Sequence, residues 1–146
     1  MLGRLEEALP LRRDVYSGWL KLLGEEHENT FLSANNFAAS LLELKRFEEA
    51  KALMRKTVPV ARRVLGEDHH LTLSLRWIYA NTLSRSPSMS ASEGATCTVA
   101  DLSEAVMTLE SVAVSYKRVM GISHPETSKV QIALNRTRTM LARARE

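Results

Sequence analysis

The chain has 146 residues, 45% apolar, 25% charged and 5% aromatic, with 20 Lys+Arg against 17 Asp+Glu for a net charge of +3. That length suits one domain or a short array of repeats with a real core, while three surplus positive charges are too few to select nucleic acid or a membrane surface by themselves. No apolar run approaches the roughly 18–20 residues of a membrane span, and the single cysteine, Cys97, excludes an intrachain disulfide framework and a cysteine-based zinc site.

Taken in order, the elements read as helices. The first ten residues carry Arg4, Glu6 and Glu7 where a signal peptide would be apolar. A helix is predicted over 4–22, with Leu5, Ala8, Leu11, Val15 and Leu22 as its apolar positions and no earlier helix to pair with. The second, 28–43, has Phe31, Ala34, Phe37, Ala38 and Leu41 at spacings of three and four, which is one helix face. Lys45-Arg46 interrupts the pattern, and a third helix follows over 46–64 with Phe47, Ala50, Met54, Thr57, Ala61 and Val64. A fourth spans 70–84. Residues 84–98 read SRSPSMSASEGATCT, too polar to bury themselves, and are expected to form an inserted surface loop, 84–99. Helices over 100–119 and 125–144 complete the set, with Pro125 suited to a first helical position. So short a connection as Lys45-Arg46 makes its flanking helices antiparallel.

The punctuation between helices repeats. Leu23-Gly24-Glu25-Glu26-His27 returns 42 residues later as Leu65-Gly66-Glu67-Asp68-His69, and after another 55 as Met120-Gly121-Ile122-Ser123-His124, each with a threonine three residues beyond its histidine. The longer interval is one period plus the 13 residues of the Ser-rich insert. Leu5-Glu6-Glu7-Ala8 aligns with Phe47-Glu48-Glu49-Ala50, and Glu49-Ala50 with Glu104-Ala105, in the same register. The chain therefore divides into a partial repeat whose second helix is 4–22, a repeat over 23–64, a repeat over 65–119 carrying the insert, and a terminal helix in 120–146. One helix pair cannot bury its own stripe, so the expected fold is an all-α, right-handed solenoid of antiparallel pairs. Gly24, Gly66 and Gly121 are placed to end helices. Ala38 with Ala50, and Ala80 with Ala105, let paired helices approach.

The strings Ala34-Asn35-Asn36-Phe37-Ala38, Arg46-Phe47-Glu48-Glu49-Ala50 and Leu65-Gly66-Glu67-Asp68-His69 resemble the 42-residue tetratricopeptide repeats of kinesin light chains, over nearly the whole chain. The resemblance implies a scaffold that presents the inner face of each first helix to a protein or peptide, often with an asparagine holding the peptide backbone. Carried over by position, the concave-face set is Leu32, Asn35, Ala39 and Leu42, then Ser74, Trp77 and Asn81, then Lys129, Ile132 and Arg136. Trp77 and Ile132 stand where the first full repeat has Asn35, so a uniform asparagine ladder is absent. Asn135 replaces the alanine of Ala38 and Ala80, which marks the last helix as a solvated cap or the start of a truncated repeat.

Other chemistry is scarce. Asn35 can donate to and accept from a peptide main chain, or bond a neighbouring helix; Trp77 can anchor a ligand or pack on the next repeat. His27, His69 and His124 sit one repeat apart, which suits capping or inter-repeat bonding and not a shared metal. Cys97 has no activating neighbours, and no phosphate loop, G-x-S-x-G or H-E-x-x-H occurs, so no catalytic residue, metal or cofactor is expected. Ser86-Pro87 offers a phosphosite in the loop. Arg12-Arg13, Arg62-Arg63 and Lys117-Arg118 read as solvated outer surface, or as a basic stripe for an acidic partner or nucleic acid. The expected role is a cytoplasmic protein–protein interaction scaffold without membrane attachment. The alternative is a purely structural segment of a longer array, self-associating through its end helices.

Overall fold

A computed structural model describes residues 2–85 and 98–146 as six helices with no strand among them: α1 (Leu2–Leu23), α2 (Glu28–Glu43), α3 (Phe47–Leu65), α4 (His70–Arg85), α5 (Val99–Met120) and α6 (Pro125–Ala144). Each packs on its chain neighbour, and α2 also lies against α4. The result is an all-α, tetratricopeptide-like solenoid, with helix limits within two residues of those read from periodicity. Pro10 and Pro59 lie inside α1 and α3 without ending them; the apolar face of α3 continues past Pro59 to the fully buried Ala61 and outweighs the one lost backbone bond.

The core follows the predicted stripes of α2 and of α3 as far as Ala61, but Val64 is exposed, and α1 buries Leu9 and Tyr16 in place of the expected Leu11, Val15 and Leu22. Phe31, Ala38, Met54 and Ala61 cluster with Leu71, Leu75 and Ile78, while Leu109, Val112 and Tyr116 pack with Val130, Ala133 and Leu134. Burying a large apolar side chain contributes about 1.5–3 kcal/mol, so these clusters supply the main stabilisation. Ala38, Ala50, Ala80 and Ala105 are all fully buried. Asn135, at the corresponding place in α6, is exposed and accepts a hydrogen bond from Gln131.

Each turn of the repeat is closed in one way. The imidazole Nδ1 of His27 accepts from the amide of Asn29 at 3.0 Å, that of His69 from Leu71 at 3.1 Å, and that of His124 from Glu126 at 3.2 Å. The recurring histidines are thus helix caps, satisfying amides left without partners in a first turn. Thr30 and Thr127 donate to the carbonyls of Gly24 and Gly121 at 2.7 and 2.9 Å. Gly66 and Gly121 have φ of 93° and 87° with ψ of 164°, outside the left-handed helical region and in a basin open to glycine almost alone. Pro125 occupies the start of α6.

The expected loop 84–99 is shorter at both margins. Ser84 and Arg85 belong to α4, where Ser84 is 5% exposed, and Val99 begins α5 behind the cap Thr98, whose hydroxyl accepts from the Asp101 amide at 3.0 Å. The other residues of that expected loop, Ser86 and Cys97 among them, lie outside the described residues. No helix among the described residues is long and apolar enough to cross a membrane.

Candidate functional site

The repeat register explains how the surface between first helices changes along the chain. Between α2 and α4, Ser74 donates to Asn35 Oδ1 at 2.9 Å. Two residues expected to meet a ligand are therefore joined to each other, with the Asn35 amide nitrogen left over. One repeat further on, the counterparts of Asn35 and Ser74 are Trp77 and Lys129. These long side chains cannot form so short a link, and the backbones of α4 and α6 do not approach as α2 and α4 do. The space opened is a groove of about 200 Å³ lined by Trp77, Asn81, Lys129, Ile132, Ala133 and Arg136.

Five of the ten predicted site residues converge here. Trp77 is half-buried and packs its inner side against the cluster of Val130, Ala133 and Leu134. Ile132 is 67% exposed. Asn81 donates back to the Trp77 carbonyl at 3.1 Å, which ties its amide to its own helix. Lys129 pairs with Glu126 at 2.9 Å, whereas Arg136 has no ion pair or hydrogen bond among the described residues. The groove thus offers an indole and an aliphatic side chain beside an unpaired guanidinium, a setting for an apolar side chain with a carboxylate next to it.

The remaining candidates separate. Leu42 is buried, so it serves packing and not a ligand, and Ala39 is half-buried against the core. Leu32 belongs to a different groove, of about 310 Å³, between α1 and α2 with Arg12, Val15, Trp19, Asn29, Ser33 and Asn36. Sequence reasoning missed that groove because it took Leu32 in register with Ser74 and gave α1 no partner face.

The basic pairs also read differently in three dimensions. Arg63 pairs with Glu26 at 2.9 Å, Arg62 with Glu67 at 2.7 Å, and Arg118 with Asp68. Arg13 lies over the Phe37 ring, 5.5 Å from its centre, and Arg12 donates to the Asn36 carbonyl and the Ser40 hydroxyl. The three ion pairs neutralise part of the basic stripe, because Glu26, Glu67 and Asp68 sit in the turns that open the repeats, while Arg12 and Arg13 meet only neutral groups among the described residues. Glu67 also meets Arg76 at 3.1 Å, whose side chain is 6% exposed and whose pKa burial lowers against the opposing pull of that carboxylate. Tyr79 donates to Glu104 and accepts from Arg55; its burial, then the Glu104 hydrogen bond, pushes its phenol above the ordinary value. Both networks hold helices together, and none of their residues lines either groove. Among the described residues, no group of three or more His, Cys, Asp or Glu could hold a metal ion.

Residues 30–71 match the tetratricopeptide repeat family, a window that opens at the threonine of one repeat and closes just before the threonine of the next. A stretch of 76 residues, 52% of the chain, is 29% identical to the Clustered mitochondria protein homolog of Debaryomyces hansenii, and it covers 6% of that protein.

Proposed function

We propose, on the premise of a chain carrying a tetratricopeptide repeat, that it is a protein-interaction scaffold whose ligand segment lies in the groove between α4 and α6. Repeats of this family serve in general to bind other proteins. The carrying observation is the convergence of Trp77, Ile132, Lys129 and Arg136 on one surface where the Asn35–Ser74 link has been replaced. An apolar side chain of the ligand stacks on Trp77 beside Ile132, and a neighbouring carboxylate meets Arg136. Asn35 adds a contact through its free amide hydrogens when the segment extends toward α2. The 42-residue period supports a repeat of the kinesin light chain type, divided as 23–64 and 65–119 between a partial first repeat and a terminal helix, and we place the protein in the cytoplasm on its single cysteine. Non-enzymatic action is part of the same reading.

A random-peptide display selection tests it, repeated on Trp77→Ala and Asn35→Ala. One enriched motif, weakened at least tenfold by Trp77→Ala and several-fold by Asn35→Ala, is the expected result. A well-folded chain that enriches nothing would overturn it in favour of a structural, self-associating segment, which light scattering then detects as a concentration-dependent mass.

A further inference from the structure

In the interior of the solenoid, each first helix fills a slot formed by the next two helices. The slot that α2 fills is floored by Met54, Thr57 and Ala61 of α3 and by Leu71, Leu75 and Ile78 of α4, all at most 7% exposed. Moving back one 42-residue step turns these residues into Arg12, Val15 and Trp19 of α1 and Asn29, Ser33 and Asn36 of α2. They line the second groove together with Leu32. That groove is thus the repeat-equivalent of a helix-binding slot, and no helix among the described residues fills it. Val15 is 51% exposed and Leu32 47%, with Leu11 and Leu22 further exposed along α1.

Its charges carry the same register. Arg63 of α3 pairs with Glu26, the residue ahead of the His27 cap of the helix seated over α3. Arg118 of α5 pairs with Asp68, ahead of His69 and the helix seated over α5. The α1 counterpart of Arg63 and Arg118 is Lys21, which is exposed and has no ion pair among the described residues. Arg12 in the groove itself bonds two neutral oxygens and no carboxylate.

We propose that the α1/α2 groove receives an amphipathic helix of a partner protein, laid antiparallel to α1. Its apolar face rests on Val15, Trp19 and Leu32. An acidic residue just ahead of its first turn meets Lys21, and a second carboxylate along the same face meets Arg12. A second copy of this chain does not fit that description. The helix it offers with an open first-helix face is α6, which presents Ser128, Gln131, Asn135 and Arg138 where α2 presents Phe31, Ala34, Ala38 and Leu41, and Ser123 where the others have Glu26 and Asp68. The proposal stands independently of the α4/α6 groove.

The test is a display library of helical peptides of the length of α2, randomised on one face and at the residues before the first turn, selected on the whole chain. Binders with Asp or Glu ahead of the first turn, weakened at least tenfold by Trp19→Ala and by Leu32→Asp but not by Trp77→Ala, are expected. Lys21→Glu leaves an exposed site of the fold unchanged, so it should switch that preference to Lys or Arg. An empty selection, binders indifferent to Lys21→Glu, or binders lost with Trp77→Ala would each overturn the proposal, the last assigning them to the other groove. So would a dimer in light scattering that Val15→Asp dissolves, since a second copy would then be the occupant.

Discussion

At the scale of single residues, the turn between α2 and α3 shows what local sequence rules overlook. The amide of Arg46 bonds the carbonyl of Leu41 at 2.8 Å and that of Lys45 bonds Leu42 at 3.0 Å, a paired closure that requires a left-handed residue after the helix. That residue is Lys45, with φ of 61°, and not the glycine that the other turns use. A side chain there costs about 1–2 kcal/mol, and glycine's greater freedom in the unfolded chain gives back part of that. Lys45→Gly is therefore expected to stabilise the fold by about 0.5–1 kcal/mol, read as a higher denaturation midpoint with an unchanged slope in urea.

At the scale of elements, the starts of α2, α4 and α6 are set by histidines in place of the more usual serine or aspartate. The acceptor is Nδ1, so any replacement must offer an acceptor at the same reach. His124→Ala should cost about 1 kcal/mol, and His124→Asn should recover most of it, since an asparagine oxygen reaches the same amide; paired urea titrations check both. The recurrence of glycine, histidine and threonine made these caps legible before any coordinates, as did the stripes of α2 and α3. Less was legible at the grooves. Trp77 with Ile132, and Asn81 with Arg136, were legible as candidates because each pair shares one step of the repeat, and all four line one groove. Leu32 shares the repeat register yet joins another groove, since α1 rises beside it and no helix among the described residues covers it. The partners of Arg63 and Arg118 lie 37 and 50 residues away in sequence, a separation that no helical period encodes.

For the whole molecule, those two pairs form a ladder that ties each second helix to the turn that opens its own repeat. Hydrogen bonds from Arg118, then Ser115, hold the Asp68 carboxyl below its ordinary value of 3.8. A carboxyl depressed in the folded state contributes stability that is present above the unfolded value and lost as pH falls through the folded one. Denaturation followed from neutral to acid pH should show an acid limb that shrinks in Arg118→Ala and in high salt, which screens exposed pairs. The contribution is small, and cores that interlock pair by pair carry the rest.

The wide step at Trp77 has a mechanical consequence. A stack of repeats is an elastic coil whose stiffness is set link by link. The coil is stiff between α2 and α4, where backbones meet and a hydrogen bond pins them. Between α4 and α6 it is softer, because the backbones stand further apart and no side-chain hydrogen bond among the described residues links the two helices. Bending concentrates at that link. A ligand bound as proposed, on Trp77 and Arg136, would brace that link, so filling one groove would set the pitch between neighbouring repeats.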